Sequence, residues 1–225
     1  MIKTTKTEAI VLRRTNYGEA DRIVQFLTPI GKKCAMVKGA RREKSRLAGG
    51  IELFAVSEVV IGEGKGEIGV LTSARLVHFY RHIIEDYDRM QFAYLVIKLV
   101  SGASEMVDGS DWYDVLQETL AGLDAHSIDL RMVQAWFYLR YSSLMGYELS
   151  LWHDVTGAKL SPDFEYNYDI NERGLKIAVG GEIRSDHIKL LRLISTRSLK
   201  VLAQIGGIGD IIASCQDIAI KHAAI

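Results

Sequence analysis

The first third of the chain alternates between apolar and polar positions with the period of two that is typical of β-strands. Short strands are predicted at 9–13, 21–28, 33–38, 51–61 and 68–77. Turn residues separate them, at 16–18, 29–31, 49–50 and 62–66. Because no gap is long enough for a helix, the pattern predicts a small antiparallel barrel of five strands. The strand pattern fits an OB-fold and an SH3-like barrel equally well.

The pattern changes after the fifth strand, where apolar residues recur with helical spacing. Helices are predicted at 85–100, at 112–123 and 130–145 behind the caps Asp111 and Asp129, from the cap Ser185 to about 202, and at 209–224. Residues 150–182 break this pattern, and 164–168 with 175–179 predict a β-hairpin. The prediction is an α+β chain with a barrel domain at 1–80, a helical domain at 81–225 and a small β-hairpin insertion.

Composition places the chain among ordinary globular proteins. It has 225 residues, of which 48% are hydrophobic and 25% charged, and no apolar run approaches the roughly 20 residues of a membrane span. The N-terminus lacks the hydrophobic region of a signal peptide. Its two cysteines, Cys34 and Cys215, lie too far apart in sequence to suggest a disulfide framework. A reducing cytosol is the simplest location.

Positive and negative charges are divided unequally between the two predicted domains. The formal net charge is zero, but residues 1–80 carry 14 Lys and Arg against 8 Asp and Glu, a net charge of +6. Residues 81–225 carry 14 against 20, a net charge of −6. A basic half of this kind favours a nucleic acid or another acidic partner.

The basic loop, defined as Lys38–Arg46, holds five cations and one anion in nine residues between two predicted strands. Cations this close repel one another unless an anion lies among them, and a nucleic-acid backbone is a natural anion. A solvated loop that only keeps the protein soluble is the alternative. Aromatic faces stack on bases while cations contact phosphates. The predicted DNA-binding residues are Arg13, Arg14, Tyr17, Lys32, Lys33, Lys38, Arg41, Arg42, Lys44 and Arg46.

Other motifs favour structural roles. Residues 64–69 have the letters GxGxxG, but strand follows them, so a hairpin loop is predicted instead of a dinucleotide site. The glycine-rich segment 205–210 is interpreted as an interhelical turn, with a helix-hairpin-helix DNA contact as the alternative. His78 and His82 have helical spacing but no third metal ligand. Without a nucleophile motif or phosphate loop, the chain is predicted not to be an enzyme.

Several stretches resemble the RecO family of bacterial recombinational repair proteins. The specific matches are residues 8–12, 16–24, 27–28, 31, 37–42, 44–47 and 53–54, with weaker ones at 137–140 and 146–147. The resemblance implies an N-terminal OB-fold, binding of single- and double-stranded DNA, and strand annealing. It also implies partnership with RecR and with the acidic C-terminal tail of single-stranded DNA-binding protein (SSB), which together permit RecA loading. Arg131 and Arg140 are candidates for binding that tail.

The insertion departs from the family pattern. Many members carry a four-cysteine zinc site there, whereas residues 151–157 contain no cysteine and place His153 and Thr156 at ligand positions. One possible ligand cannot hold a structural zinc, so no metal or other cofactor is predicted. The aromatic residues of the insertion are expected to stabilise it instead: Trp152, Phe164, Tyr166 and Tyr168.

The sequence thus predicts a recombination mediator of the RecFOR type, located in the bacterial cytoplasm at the nucleoid. Two other classes stay open. One is an adaptor that binds only proteins through its basic loop, and the other is an RNA-binding OB protein.

Overall fold

A computed structural model describes residues 4–63, 66–107 and 111–223 of the chain. The chain divides into two compact units, residues 1–124 and residues 125–225. The first unit contains a β-barrel and the first two α-helices, and the second contains the remaining helices and a β-hairpin. The helix that was expected to open a separate domain therefore packs with the barrel.

Five strands close into a barrel. They are β1 (Thr4–Tyr17), β2 (Asp21–Thr28), β3 (Gly31–Val37), β4 (Ala55–Gly62) and β5 (Ile68–Phe79). Their order around the barrel is β1-β2-β3-β5-β4. Neighbouring strands are antiparallel except β3 and β5, which run parallel and pair over Cys34–Met36 and Ile68–Val70. The predicted five-stranded barrel is confirmed.

The barrel interior is filled by alternate residues of the strands, as the period of two predicts. The buried cluster contains Ala9, Val11, Val24, Phe26, Ala35, Val37, Val59, Ile61 and Leu71 from the strands, with Ala40 and Ile51 from the β3–β4 connection. Burying apolar surface of this kind is the main favourable term in folding. The β3–β4 connection is therefore part of the core as well as a surface loop.

The fourth strand starts later than predicted, at Ala55 instead of residue 51. Phe54 has a φ of 57°, which interrupts an extended chain, and Ala48–Gly50 form a turn of 3-10 helix. A Cβ added at Gly50 would lie 2.5 Å from the Cβ of Ala74 in β5, so the connection approaches β5 more closely than a side chain allows. The alternating apolar residues at 51–54 thus belong to a turn that packs against the core and not to a strand.

Two helices complete the first unit, α1 (Tyr87–Met106) and α2 (Asp111–Asp124). The side chain of Asp86 caps α1 by accepting from the backbone of Arg89, so α1 begins two residues later than predicted and also runs further. Asp111, predicted as a cap, is the first residue of α2.

Both helices are tied to the barrel by side chains. The rings of Phe54 and Tyr94 meet edge to face, with 4.9 Å between their centroids. Near the C-terminus of α1, Lys32 Nζ lies 3.0 Å from the carbonyl oxygen of Ser101 and 2.7 Å from Glu105 Oε1. From α2, the hydroxyl of Tyr113 donates to a Glu8 carboxylate oxygen at 3.1 Å. The barrel and its two helices form one packed body.

The second unit is built on the helix α3 (Leu130–Leu144), whose N-terminus is capped by the predicted Asp129. Against it pack α4 (Ser185–Thr196), the short α5 (Leu199–Leu202) and α6 (Ile212–Ala223). Ser185, predicted as a cap, is the first helical residue, and the chain between Thr196 and Leu199 divides the single predicted helix into two. The indole of Trp136 donates to the carbonyl of Arg197 at 2.8 Å and so fixes that break.

The predicted hairpin is present as β6 (Tyr166–Asp169) and β7 (Gly174–Ile177). Upstream of the hairpin, Asp154 organises a turn, because its Oδ1 accepts from the backbones of Thr156 and Ala158 and from the Thr156 hydroxyl. Tyr166 is buried, as predicted. Trp152 and Phe164 do not fill the core of the insertion, since they are 60% and 50% exposed, although Trp152 packs against the guanidinium of Arg192.

A buried histidine joins the hairpin to α6. Nδ1 of His222 lies 3.0 Å from the hydroxyl of Tyr168, and its Nε2 lies 2.7 Å from the carbonyl of Tyr147. The guanidinium of Arg173 donates to the carbonyl of His222 and stacks over Tyr147. Burial lowers the pKa of His222, so the neutral ring is favoured in the folded chain.

The first glycine-rich motif leads into a strand, and the second connects two helices. Residues 64 and 65 lie outside the described residues, but β5 begins at Ile68, so strand follows this motif as predicted. Gly69 faces β4, and a Cβ there would lie 2.5 Å from Ile61. The segment 205–210 connects α5 to α6, with Gly207 at a φ of 72°. His78 lies in β5 and His82 in a 3-10 turn, so they do not share a helix face.

Candidate nucleic-acid interface

The basic loop leaves the end of the barrel at which β1, β3 and β5 finish. Gly39, near its start, has a φ of 64°, which turns the chain and places Ala40 in the barrel core. The side chains of all five cations, Lys38, Arg41, Arg42, Lys44 and Arg46, are exposed. The loop is therefore anchored in the core by Ala40 and exposes its cationic side chains to solvent.

Hydrogen bonds hold the basic loop beside the turn between β1 and β2. The N–H of Gly39 donates to Asp21 Oδ1 at 2.7 Å, and the N–H of Arg41 donates to the carbonyl of Ala20 at 2.9 Å. The guanidinium of Arg41 also donates to the carbonyl of Gly18. The two groups of residues that the sequence suggested separately, the basic loop and the Tyr17 turn, are therefore adjacent.

The cations of this surface are largely unneutralised. Within the described part of the chain, none of the five cations of the basic loop lies within ion-pair distance of a carboxylate, and the same holds for Arg13. Segments 13–22 and 38–52 together carry eight Lys and Arg against four Asp and Glu, a net charge of +4. An anionic ligand would relieve the mutual repulsion of these cations.

The residues of β1 have different roles. Arg13 is exposed, and Tyr17 is 54% exposed at the strand end, so its ring is available for stacking. Arg14 is half-buried, and its Nη1 lies 2.8 Å from Glu52 Oε2 and 3.4 Å from the carbonyl of Ile51. Arg14 thus supports the far end of the β3–β4 connection, and its charge is already paired.

The structure does not bring Lys32 and Lys33 together with the basic loop. They lie at the opposite end of β3, where five residues of extended strand separate Lys33 from Lys38 by about 17 Å. Lys32 is bound to the C-terminus of α1, and cations are favourable at such a position. Lys33 lines a separate cleft of about 370 Å³ at that end.

One cation of this surface escaped sequence reasoning. Arg22 in β2 pairs with Asn16 across the hairpin and with Val37 on the other side, which places it between the Tyr17 turn and Lys38. Its Nε donates to Asn16 Oδ1 at 3.2 Å. Arg22 does not belong to any run of charge in the sequence. Only the strand pairing implied by the predicted turn could have placed it on this surface.

The two candidates for partner binding lie in α3. Arg131 forms a double hydrogen bond with Asp129, at 3.1 Å from Nε and 2.6 Å from Nη2, and this bond raises the pKa of Arg131. The guanidinium of Arg140 lies 5.3 Å from the centroid of the Trp136 ring. Of the two, Arg140 has no carboxylate partner within the described residues.

The cysteines and acidic residues give no support for a reactive centre. Burial raises the pKa of the Cys34 thiol, and it raises that of Cys215 to about 12, so neither is an activated thiolate. Across residues 4–63, 66–107 and 111–223, no three His, Cys, Asp or Glu side chains are grouped so that they could hold a metal ion. None of the helices described is long and apolar enough to cross a membrane.

A closed five-stranded barrel with this strand order is an OB-fold, a class whose members bind oligonucleotides or oligosaccharides. Two family models match the chain, Recombination protein O N terminal at residues 1–80 and Recombination protein O C terminal at residues 84–218. The chain belongs to the RecO family of DNA repair proteins.

Individual relatives agree with this assignment. The DNA repair protein RecO of Roseiflexus sp. (strain RS-1) is 28% identical over 218 residues, which are 89% of this chain and 73% of the relative. That of Alkaliphilus metalliredigens (strain QYMF) is 30% identical over 172 residues, 76% of this chain and 69% of the relative. That of Desulfatibacillum aliphaticivorans is 32% identical over 149 residues, 64% of this chain and 58% of the relative.

Proposed function

We propose that this chain is a non-enzymatic recombination mediator that binds DNA through the basic loop and anneals complementary strands. The observation that carries the proposal is the exposed basic loop, which has no carboxylate partner within the described residues. Annealing needs the phosphate charges of two strands to be screened while the bases approach, and it needs no covalent chemistry. A cationic surface that holds DNA by its backbone meets that need without a cofactor.

The contact residues we propose are those around the loop end of the barrel. Lys38, Arg42, Lys44 and Arg46 contact phosphates, Arg41 and Arg22 extend the same surface, and Tyr17 offers a stacking face. Lys32 is already bound to Ser101 and Glu105, and Lys33 lies at the other end of β3, so we do not count them among the contacts of the basic loop.

The salt dependence of DNA binding tests the proposal. If the basic loop engages about four phosphates, log K for single-stranded DNA should fall with log salt at a slope near −3. Replacing Arg42, Lys44 and Arg46 together by Ala should reduce the slope by about 2, at roughly 0.7 per phosphate contact. These three side chains form no ion pair and no hydrogen bond within the described residues, so their loss should leave the fold intact.

A matched control removes three cations from elsewhere. Lys6, Lys176 and Lys221 are exposed, and each is paired with a carboxylate. Replacing them by Ala changes the net charge by the same amount but should leave the slope unchanged. Equal slopes for wild type and the basic-loop variant would contradict the proposal, and so would equal reductions in the two variants.

We further propose that the chain acts in a RecFOR-type pathway at the bacterial nucleoid, with RecR and the SSB tail as partners and with RecA loading as the outcome. Family membership supports this proposal. Because the charge of Arg131 is already satisfied by Asp129, Arg140 is the better of the two candidates for an acidic tail. If the tail peptide still binds after the charge of Arg140 is reversed, Arg140 is excluded as a contact residue.

The two alternative classes make different predictions in the same titration. An adaptor that binds only proteins would show no salt-dependent affinity for oligonucleotides. An RNA-binding OB protein would prefer RNA over DNA of the same sequence, because contacts to the 2′-hydroxyl distinguish the two. Competition between matched oligonucleotides therefore separates all three.

A further inference from the structure

A second exposed aromatic surface lies in the insertion of the second unit, at Trp152. The guanidinium of Arg192 in α4 stacks on this ring, with 3.9 Å between its Cζ and the ring centroid. Both Nε and Nη2 of Arg192 donate to the carbonyl of Leu151, at 2.9 and 2.7 Å. The ring is therefore supported on one face by a fixed guanidinium, while the residue stays 60% exposed.

Trp152 does not belong to the buried core of the insertion. The turn around it is organised by the buried carboxylate of Asp154, and the apolar contribution comes from Tyr166, which is 1% exposed. A tryptophan that is held in place but not buried keeps most of its large apolar face available for a ligand.

Two cationic side chains lie near Trp152, those of Lys159 and Arg192. His153 and Lys159 pair across a short β-bridge next to it, and the N–H of Leu160 donates to the carbonyl of Trp152 at 2.9 Å. Neither Lys159 nor Arg192 forms an ion pair within the described chain. The neighbouring carboxylate of Asp154 faces inward into its own turn.

A cleft of about 160 Å³ adjoins this platform, and Arg192 forms part of its wall. Apolar and hydroxyl side chains line the rest, together with a lysine whose ammonium pairs with Asp186 at 3.0 Å: Leu160, Ser161, Pro162, Ser185, Ile188 and Lys189. An open aromatic face, an adjoining cleft and unpaired cations are the parts from which single-strand binding surfaces are built.

We propose that Trp152 is a base-stacking platform for single-stranded nucleic acid, separate from the basic loop and carried by the other compact unit. The ligand is a single strand because a base can stack on an aromatic side chain only when it is not enclosed in a duplex. The inference rests on the proposed DNA-binding function and adds a second contact to it. One chain could then hold two strands, or two parts of one strand, as annealing requires.

Tryptophan fluorescence of the full chain tests the inference, because the other two tryptophans, Trp112 and Trp136, are buried. Oligo(dT) should quench the emission and protect it from acrylamide, and Trp152→Ala should abolish both effects. The same substitution should weaken oligo(dT) binding by about tenfold, as expected for the loss of one stacked base. Arg192→Lys, which keeps the charge but not the double hydrogen bond, should weaken it by less.

Phe164→Ala provides the matched control, because Phe164 is an exposed aromatic residue of the same insertion without a stacked guanidinium. It should bind oligo(dT) as the wild type does. Heparin, a polyanion without bases, should not quench Trp152.

Four results would overturn the inference. The inference fails if oligo(dT) binds without quenching and binds Trp152→Ala as tightly as the wild type. The role of the basic loop would then remain intact. Equal quenching by heparin would show that charge and not stacking is responsible. Stronger quenching by an acidic peptide would assign the platform to a protein partner. A complete absence of oligonucleotide binding would overturn the proposed function as well.

Discussion

The carboxylate of Asp21 allows a test in which charge and loop order predict opposite results. Asp21 lies on the cationic face, so its removal makes that face more positive. Its Oδ1 also accepts the N–H of Gly39 at 2.7 Å and thereby holds the start of the basic loop. If only charge mattered, Asp21→Ala should bind DNA more tightly. If the anchored loop matters, it should bind more weakly.

The loss of the anchoring hydrogen bond should outweigh the gain in positive charge. A charge about 10 Å from a phosphate contributes roughly 0.4 kcal/mol in water, so its loss should tighten binding about twofold at most. A hydrogen bond to a charged group contributes about 1.5–3 kcal/mol, and an unanchored loop has to be reordered when DNA binds. We therefore expect Asp21→Ala to bind about five- to tenfold more weakly. Asp21→Asn keeps an acceptor oxygen for Gly39 and should bind equally well or up to about twofold more tightly.

Fluorescence anisotropy with a labelled single strand at fixed ionic strength measures these affinities. Amide hydrogen exchange at Gly39 reports loop order independently, and exchange should become faster in Asp21→Ala. Tighter binding by Asp21→Ala and Asp21→Asn to the same extent would refute the reasoning, because the anchor would then have no role in binding.

Two further predictions concern stability. Gly50→Ala should lower the free energy of unfolding by about 1–3 kcal/mol, because its Cβ would overlap Ala74, whereas Gly49→Ala meets no atom within 4 Å and should change it by less than about 0.5 kcal/mol; equal effects in urea denaturation would contradict this account. Burial lowers the pKa of His187 and His222, so below pH about 6.5 the unfolded chain binds more protons than the folded chain. The free energy of unfolding should therefore decrease as pH falls below about 6.5, and His222→Gln should show a weaker decrease; a wild-type stability that rises on acidification would be the opposite result.

Much of the fold could be predicted from period and turn residues. The alternation of apolar residues located all five barrel strands, and the hairpin at β6 and β7 followed from its turn. The start of β4 was predicted too early because Ile51 and Leu53 alternate with polar residues as in a strand. In the structure these residues lie in a turn, which ends at the positive φ of Phe54. The local sequence pattern does not reveal that these residues pack into the core from the connection between two strands and not from a strand.

The cationic surface was predictable only in part. A run of charge is visible in the sequence, so the basic loop could be found. The role of Lys32 could not, because its partners Ser101 and Glu105 lie about 70 positions away and are brought near by helix packing. Arg22 was missed for the converse reason, since it reaches the surface through strand pairing. Exposure of Trp152 depends on which aromatic side chain fills the small core of the insertion.

The attachment of α1 and α2 to the barrel determines which fragment can be expected to fold alone. A chain cut near residue 80, where the strands end, would leave Lys32 without the helix terminus it binds, Phe54 without Tyr94, and Glu8 without the Tyr113 hydroxyl. Apolar barrel surface covered by the two helices would become exposed to water and favour aggregation. A fragment that keeps these contacts ends at about residue 124, where the first compact unit ends.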